Sequence, residues 1–593
     1  MTFEAIEKPE GERAAMSWTS DVAAEMLKRL GIEYIALNPG ASYRGLHDSL
    51  VNYLGNRNPQ MLLCLNEDHV LSIAHGYAKA SDKMMACALH SNVGLMHGLM
   101  GIFNAWCDRV PMLILGATGP VAVEKRRPWI DWIHTTKDQG ALLRHFTKWD
   151  DEPRSAPSIV EGMLRAAQLS LTPPCAPTYV CLDSGLQEEA LTKEVAIPDV
   201  SRYAPMQAPG ATAAQLERAA SILLESRSPV LLMGRGERGT DAWARRVRFA
   251  ELLGARVLTS IRERAIFPTA HPLHAAPPIQ WMSPQVKAIV ASADTLVGLD
   301  WPELNGTLLQ VSRDTGSVCD SIINVTMDST LHNGWSMDYF GLPPVDLAIM
   351  STADTFIGQL LPIIEARTGG QPRWKAGGGK VEHAPQYSES ADIELQPRDV
   401  EVALAKLRGR HEFTLAHVPL GWAGDVFHFR HPLDFLGHDG GGGIGAGPGL
   451  TVGAALALRG TGRIVLGILG DGDFIQGATA LWTAAHYEIP ALFIISNNRS
   501  NFNDEVHQEA VAKMRGREVD NRWIGQRIDN PKVDLCALAK AQGVASSRPV
   551  GTAAELEAEI ARGLDVVAGG QPYLIDARVA TGYANPPLSR GAD

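Results

Sequence analysis

The sequence predicts an α/β protein built from three doubly wound, parallel-sheet domains. Short apolar runs alternate with amphipathic stretches along almost the whole chain, as in parallel sheets that are covered by helices. The 593 residues suffice for three or four domains at roughly 150 residues each. Two stretches rich in proline, glycine and polar residues divide the chain into three blocks.

The first block covers residues 15–190 and contains a series of short apolar runs. Helix-like segments at Val70–Ala80 and Met96–Trp106 separate some of these runs. Runs that are apolar throughout are typical of strands buried on both faces. The predicted strands are Tyr34–Leu37, Met61–Leu65, Met84–Leu89, Met112–Leu115 and Thr178–Leu182.

The second block covers residues 205–365 and the third covers residues 396–580. Between them, residues 366–395 are rich in glycine, proline and polar residues, which predicts a linker. The residues from Gly582 onward are expected to form a poorly ordered tail. The predicted strands of these two blocks are Val230–Met233, Ala255–Thr259, Thr295–Leu299, Ile464–Leu469 and Leu492–Ser496.

Composition and charge exclude several classes of function. A formal net charge of −12 disfavours binding along a nucleic-acid backbone. No apolar run approaches the roughly 20 residues that would span a bilayer, and the first residues lack the apolar core of a secretory signal. The seven cysteines are scattered without a CxxC pair, which fits neither a disulfide framework nor a zinc site. We expect a cytoplasmic protein that binds a small molecule, with no nucleic-acid or membrane partner.

The strongest chemical signal lies in the third block, where a predicted strand ends in Gly470-Asp471-Gly472. A helical stretch and a second strand follow, and the second strand ends at Asn497-Asn498. A right-handed crossover would bring Asp471 and Asn498 together at the C-terminal edge of the sheet. One carboxylate with one amide oxygen is incomplete hard-oxygen ligation, which suits Mg²⁺ shared with a phosphate. The alternative is an ordinary turn, because aspartate is common between glycines.

This motif resembles the fingerprint of thiamine diphosphate enzymes, in which a GDG turn is followed by paired asparagines one helix and one strand later. The stretch Leu481–Asn498 is most similar to benzoylformate decarboxylases, within the group that includes acetolactate synthases and pyruvate decarboxylases. The resemblance implies thiamine diphosphate and Mg²⁺ as cofactors. It identifies the three blocks as pyrimidine-binding, middle and pyrophosphate-binding domains.

The resemblance also implies which residues bind the diphosphate and its metal. The side chains of Asp471 and Asn498 and the main-chain carbonyl of Ser500 would ligate Mg²⁺. The glycines would let the backbone approach the phosphates closely. The implied residues are Gly470, Asp471, Gly472, Asp473, Asn498 and Ser500.

Glu67 is the candidate acid beside the aminopyrimidine ring of the cofactor. It follows a predicted strand and precedes a helix that ends in Gly76-Tyr77-Ala78-Lys79, which matches the family pattern. A glutamate in apolar surroundings can hold the proton that this chemistry requires. The alternative is that Glu67 only caps its helix, with Asp68 as a competing cap.

His90 stands in a Leu-His-Ser context that resembles benzoylformate decarboxylases, where a histidine at this place faces the substrate. The resemblance implies that His90 binds the substrate carboxylate and relays a proton, with Ser91 and Asn92 lining the same loop. The alternative is a histidine that is only hydrogen-bonded in its loop. Where relatives have a substrate-binding serine after Pro-Gly, this chain has Ala41. Ser42, one residue later, is therefore a candidate substrate ligand, with helix capping as the alternative.

A bulky apolar residue must also support the bent cofactor, and the family places it in a Gly-X-Gly context before the GDG turn. Ile444, followed by Gly445, has these flanks within a run of glycines from Gly440 to Gly449. A count without gaps would instead select Ala446, which is too small. The glycines also suit close approach to a cofactor, and the alternative is a flexible loop.

Two departures from the family pattern limit what can be transferred. Benzoylformate decarboxylases have a second catalytic histidine after a middle-domain strand, where this chain has Asp300 and Trp301. Pyruvate decarboxylases have adjacent histidines after the fourth strand, where this chain has only His134. The glycine-containing stretch Leu231–Gly239 lacks other FAD-type residues, so we expect no bound FAD.

The resemblance implies a 2-keto acid decarboxylase or carboligase that acts through a C2 ylide and an enamine. Alternatives are an enzyme similar to acetolactate synthase or benzaldehyde lyase, and a cofactor-binding scaffold without catalysis. A nucleotide-dependent dehydrogenase is disfavoured because Gly234–Gly239 matches the dinucleotide motif only in part. In relatives Glu67 and the GDG site meet across a subunit interface, which implies a homodimer or homotetramer.

Overall fold

The computed structural model describes residues 6–316, 318–331, 341–375 and 394–582. In these residues the chain forms three all-parallel β-sheets with helices packed against them, which confirms the predicted α/β class. We refer to them, in chain order, as the first, middle and third units. Most of the predicted linker, residues 376–393, and the tail beyond Gly582 lie outside the described residues.

The first unit has a described sheet with the strand order β2-β1-β3-β4-β6-β5. Strand β4 is buried along its whole length, as its run of apolar residues predicts. The strands are β1 (Tyr34–Leu37), β2 (Gln60–Leu63), β3 (Met85–Ala88), β4 (Met112–Thr118), β5 (Trp149–Asp151) and β6 (Pro177–Asp183). The helices are α1 (Thr19–Arg29), α2 (Arg44–Asp48), α3 (Glu67–Ser81), α4 (Ser91–Cys107), α5 (Ile130–Ile133), α6 (Ala156–Leu171) and α7 (Ser184–Gln187).

The middle unit has a described sheet with the strand order β11-β10-β9-β7-β8. The strands are β7 (Pro229–Met233), β8 (Arg256–Thr259), β9 (Thr295–Leu299), β10 (Ser321–Val325) and β11 (Leu347–Ile349). The helices are α8 (Ala213–Glu225), α9 (Thr240–Leu253), α10 (Pro284–Ala291), α11 (Leu304–Thr315) and α12 (Ala353–Thr368).

The third unit has a described sheet with the strand order β12-β13-β14-β16-β15. The strands are β12 (Glu412–His417), β13 (Arg463–Gly470), β14 (Leu492–Asn497), β15 (Ala545–Ser546) and β16 (Tyr573–Arg578). The helices are α13 (Pro397–Leu407), α14 (Gly447–Ala457), α15 (Asp471–Gly477), α16 (Ala480–His486), α17 (Phe502–Met514), α18 (Leu535–Ala541) and α19 (Ala553–Ala568).

Helices α3 and α14 join the first and third units through glycines. A Cβ atom on Gly76 would lie 2.0 Å from the main-chain oxygen of Leu450, and one on Gly453 would lie 1.9 Å from that of Ile73. Only glycine allows two helix backbones to approach this closely. One buried apolar core extends across both units, from residues of α3 to residues of α14 and α16. The helix that begins with Glu67 is therefore packed rigidly on the unit that carries Asp471.

Buried ion pairs fill the C-terminal edge of the middle sheet. Arg235 follows β7, and its guanidinium lies 2.9 Å from the carboxylate of Asp328 and 3.6 Å from that of Asp300, which follows β9. Arg109, two residues after the end of α4, also contacts Asp328, at 2.9 Å. The crevice between neighbouring strand ends is where such sheets bind nucleotides. Here the chain's own side chains occupy it.

No helix among the described residues is both long enough and apolar enough to cross a bilayer.

Candidate functional site

Asp471 and Asn498 lie at the same edge of the third sheet. Strands β13 and β14 are parallel neighbours, and Gly470 pairs with Ser496 at their C-terminal ends. Asp471 follows β13 directly and Asn498 follows β14, as the predicted crossover requires. The sequence predicts one helical stretch between these strands, whereas the structure has two helices there, and the first already begins at Asp471. Acidic residues in a first helical turn favour this earlier start.

A cleft of about 370 Å³ opens at this edge. Its volume is within the range of small-molecule sites, roughly 300–1,000 Å³. Asp471, Asn498 and Ser500 lie on its walls together with Ile444. The other predicted residues on its walls are Gly470, Gly472 and Asp473.

The oxygen atoms around Asp471 suit a divalent cation. Burial raises the pKa of Asp471 to about 6, although main-chain groups of Gly472 and Arg499 oppose the rise. A cation beside this carboxyl group would stabilise its ionised form. The amide oxygen of Asn498 accepts a hydrogen bond from the Ser500 main chain at 2.9 Å, which brings the two residues together. The described residues contain no cluster of three His, Cys, Asp or Glu side chains with metal-site geometry, so a metal here would also need phosphate oxygens.

The Asp473 carboxylate contacts the glycine-rich loop that carries Ile444. Its Oδ1 atom accepts hydrogen bonds from the main-chain nitrogens of Gly445, at 2.7 Å, and Gly447, at 3.4 Å. Its Oδ2 atom is buried without a hydrogen-bond partner among the described residues. The Ile444 side chain is 52% exposed and lines the cleft, so a ligand can contact it directly.

Glu67 begins α3 and is buried beside α4. One carboxylate oxygen lies 3.7 Å from Nδ1 of His97, and a Cβ atom on Gly94 would lie 2.8 Å from the other. The helix cap is Asn66, whose side chain accepts a hydrogen bond from the Asp68 main chain. The capping alternative for Glu67 is therefore wrong, and its carboxyl group is available for another role.

His90 is held by Ser42 and packs against His134. The Ser42 hydroxyl oxygen lies 2.9 Å from Nδ1 of His90 and also accepts a hydrogen bond from the Ser91 main chain at 3.1 Å. The ring centroids of His90 and His134 are 4.6 Å apart, in an edge-to-face arrangement. Ser42 therefore does not cap its own helix, but supports the histidine and the start of α4.

The surroundings of His90 favour the neutral imidazole. Burial, followed by the nearby charge of His134, holds the pKa of His90 below its usual range. Since the Ser42 oxygen already accepts from Ser91, its own proton is free to be donated to Nδ1. In the tautomer in which Ser42 donates to Nδ1, the His90 proton is on Nε2, and that atom is a donor.

The remaining predicted residues of this loop have different surroundings. Ser91 has a φ of 34°, and its buried hydroxyl lacks a hydrogen-bond partner within the described chain. The Asn92 amide donates to the main-chain oxygen of Ile133 at 3.1 Å, which ties the loop to the segment that precedes His134. Ala41 is exposed at the start of a 3₁₀ turn.

Within one chain the predicted residues form two separate groups. The cleft is lined by residues between Pro397 and Gly582, and no described residue of the first unit is on its walls. Glu67, Ser42 and His90 belong to the second group, on the first unit. In the described part of one chain, only one of the two groups of predicted residues therefore lines the cleft.

Sequence reasoning missed two histidines near these groups, His97 and His417, and the contact of His134 with His90. His97 lies on α4, about two helical turns after His90, the residue that precedes the helix, so helical periodicity was a usable signal. His417 ends β12 and lines the cleft, a position that the C-terminal ends of parallel strands favour for ligand contacts. No sequence signal pairs His134 with His90, because an irregular segment after β4 brings them together.

Three models of the thiamine pyrophosphate enzymes match the chain in order along its length. The N-terminal TPP binding domain matches residues 17–142, the central domain residues 216–333 and the C-terminal TPP binding domain residues 419–577. Three parallel sheets with an oxygen-rich cleft at one sheet edge are thus the framework of a cofactor-dependent α/β enzyme. The chain belongs to the thiamine pyrophosphate enzymes, whose cofactor is the thiamine diphosphate named above.

Known proteins are similar to this chain over most of its length. Benzoylformate decarboxylase of Pseudomonas aeruginosa is 27% identical over 590 residues, which cover 95% of this chain and 99% of that protein. The acetolactate synthase large subunit of Lactococcus lactis is 23% identical over 486 residues, covering 81% of this chain and 80% of that protein.

A solved structure has the same fold. The thiamine diphosphate-dependent 4-hydroxybenzoylformate decarboxylase of Rhodococcus jostii superposes with a TM-score of 0.74, over 95% of this chain and 99% of that one. The sequence identity is 21%, so this likeness concerns the arrangement of the chain.

Proposed function

We propose that this chain is a thiamine diphosphate- and Mg²⁺-dependent enzyme that decarboxylates a 2-keto acid or joins the remaining fragment to an aldehyde or second keto acid. The observation that carries the proposal is the cleft that gathers Asp471, Asn498, Ser500 and Ile444 at one sheet edge. When bound, the cofactor supplies an electron sink that allows the bond to the substrate carboxylate to break.

The residues of the cleft fit this cofactor and its metal. Asp471, the Asn498 amide oxygen and the Ser500 main-chain carbonyl would hold Mg²⁺ against the diphosphate, with Gly470, Gly472 and Asp473 around it. Ile444, beside Gly445, would support the ring system from below. The high pKa of the buried Asp471 supports this assignment, because a carboxylate without a counter-charge favours an incoming cation.

The first unit would supply the groups that handle protons and substrate. Glu67 would hold a proton at the aminopyrimidine nitrogen of the cofactor. His90, with its proton on Nε2, would donate a hydrogen bond to the substrate carboxylate, and Ser42 would keep the ring in that orientation. Ser91, Asn92 and Ala41 would line the same side of the substrate.

A second copy of the chain completes the site in this proposal. The described part of one chain leaves the walls of the cleft without Glu67 and His90, which supports a site in which a partner subunit supplies these residues. We therefore infer a homodimer or homotetramer with the active site at the subunit interface. The three units would act as pyrimidine-binding, middle and pyrophosphate-binding domains.

The middle unit gives no support for FAD as a further cofactor. Arg235, Asp300 and Asp328 occupy the crevice in which a parallel sheet would hold a nucleotide. Their mutual ion pairs would have to break before a ligand could enter.

A panel of 2-keto acids tests the proposed activity. Purified protein with thiamine diphosphate and Mg²⁺ is incubated with benzoylformate, pyruvate and other 2-keto acids, with and without an aldehyde, and released CO₂ and product chirality are recorded. We expect CO₂ from at least one substrate, dependent on both cofactors. A carbon–carbon product that requires the second reactant would favour the acetolactate synthase-like alternative. Cofactor binding without any product across the panel would overturn the proposal in favour of a scaffold.

His90→Ala is expected to lower kcat by about a hundredfold, the usual contribution of one acid–base group. In the wild type, the pKa of His90 lies below the ordinary histidine value of about 6.5, so the ring is still mostly neutral at that pH. As pH falls further, the ring gains a proton and can no longer accept one in the proton relay, so activity declines and the acid limb of the rate profile lies below that value.

The pH profile of kcat checks this assignment of His90. The limb should vanish in His90→Asn, whereas the exposed His47 provides a control variant, His47→Ala, with an unchanged profile. An acid limb that persists in His90→Asn would show that another group carries it.

A further inference from the structure

The glycine-rich loop that carries Ile444 is held on two sides by hydrogen bonds. Gly441 donates its main-chain N–H to Oδ1 of Asn104 at 3.0 Å, and Gly445 donates to Oδ1 of Asp473 at 2.7 Å. These bonds lie on either side of Ile444 along the chain. Asn104 belongs to α4 of the first unit, so the first unit holds a loop of the third.

Close packing against α4 accounts for the glycines of this loop. A Cβ atom on Gly440 would lie 2.1 Å from the main-chain oxygen of Asn104. A Cβ atom on Gly441 would lie 2.6 Å from the Phe103 ring, and one on Gly443 would lie 2.6 Å from Cγ of Met100. Atoms cannot approach to these distances, so a larger residue at these positions would push the loop away from α4. The loop is therefore seated on the helix rather than free.

The loop backbone is enclosed while the Ile444 side chain is available. Asn104 is 1% exposed, so its amide is unavailable to solvent and committed to internal contacts. Ile444 extends into the cleft from a backbone fixed by its neighbours. The position of the Ile444 side chain in the cleft thus depends on α4.

We propose that Asn104 is a positioning residue that, together with Met100, determines how far the Ile444 side chain reaches toward the bound cofactor. This inference rests on the proposed function, in which Ile444 supports the cofactor rings. Asn104 touches the loop and not the substrate, so it acts through Ile444. The diphosphate would be held elsewhere, by Asp471 and Asn498, and the two contributions can be separated by experiment.

The test compares Asn104→Leu with wild type in two measurements. Leucine has the same branching and the same number of side-chain heavy atoms as asparagine, but it removes the acceptor for Gly441. In the cofactor-free protein, hydrogen–deuterium exchange at Gly441–Gly445 should rise about fivefold with the loss of one hydrogen bond, while exchange around Asn498 stays unchanged. With saturating thiamine diphosphate, exchange of the cofactor's C2 proton should slow by about tenfold, because Ile444, which supports the cofactor rings, is displaced. The dissociation constant for thiamine diphosphate should change little.

Two methionines on α4 provide a second pair of variants that is safe for folding. Met100, at 38% exposure, contacts the loop at Gly443, whereas Met96 is one turn earlier and 50% exposed. Met100→Ala should change both measurements in the same direction as Asn104→Leu, by a smaller factor. Met96→Ala should behave as wild type.

Unchanged loop exchange and C2-proton exchange in Asn104→Leu and Met100→Ala would overturn the proposal. Equal effects of Met96→Ala and Met100→Ala would also overturn it, because general damage to α4 would then be the cause. If wild type failed to bind thiamine diphosphate, the proposed function would fall. The exchange measurement on the cofactor-free protein would still decide whether Asn104 holds the loop.

Discussion

Asp471→Ala is expected to lower the affinity for thiamine diphosphate and Mg²⁺ by more than about a hundredfold, since even outer-shell partners of a metal contribute 10- to 100-fold. Asp471 would be the charged protein ligand of the metal, and the other two ligands in the proposal are neutral oxygens. Without its carboxylate, the negative diphosphate would enter the cleft beside a poorly held cation. Isothermal titration calorimetry with the cofactor at fixed Mg²⁺ measures the change directly.

The control for this experiment is a second carboxylate on the same cleft. Asp504 lines the cleft and is exposed at the start of α17. Asp504→Ala therefore removes the same charge as Asp471→Ala, but Asp504 is not a predicted ligand of the metal. This variant should keep wild-type affinity to within a small factor. Equal affinities of Asp471→Ala and wild type would mean that the cofactor binds elsewhere.

Glu67→Gln is expected to lower turnover by about a thousandfold, within the range for loss of general acid–base catalysis. The amide has the size of the carboxyl group but cannot give up or take back a proton at the aminopyrimidine nitrogen. Cofactor affinity should stay near the wild-type value, because the diphosphate and metal contacts lie on the third unit. Turnover and the rate of C2-proton exchange, followed by NMR, give the two readings.

A surface glutamate supplies the matched control for Glu67. Glu161 is exposed on α6, and Glu161→Gln makes the same chemical change away from both groups of site residues. Its turnover should equal that of wild type. Rapid C2-proton exchange in Glu67→Gln would exclude this residue as the proton-holding acid.

Much of the fold could be predicted because strands buried on both faces leave a local signal. Tyr34–Leu37 and Thr295–Leu299 match β1 and β9 at both ends, since polar residues bound each apolar run. Other predicted strands differ by one to three residues at their ends, where some observed strands continue beyond the apolar run and others, such as Met85–Ala88, stop short of its ends. Met112–Leu115, for example, extends to Thr118 through Gly116 and Ala117, which give little hydrophobic signal.

The site divides in the same way into local and long-range features. Asp471 and Asn498 could be placed together because each follows a recognisable strand and the crossover rule joins those strands. The contact between His90 and His134 could not be predicted, because the irregular chain after β4 has no hydrophobic periodicity. The alternative of a flexible loop around Ile444 was wrong, since contacts with Asn104 and Asp473 from distant parts of the sequence fix it.

The claim that one subunit provides Glu67 and its partner provides Asp471 is tested most directly by mixing the two inactive variants. Glu67→Gln and Asp471→Ala chains are coexpressed at equal levels, and the activity of the purified mixture is compared with that of each variant alone. A mixed dimer would contain one site with both residues intact, so the account predicts roughly a quarter of wild-type activity in a random mixture. Activity no higher than that of the separate variants would contradict it, because each site would then be built within one chain.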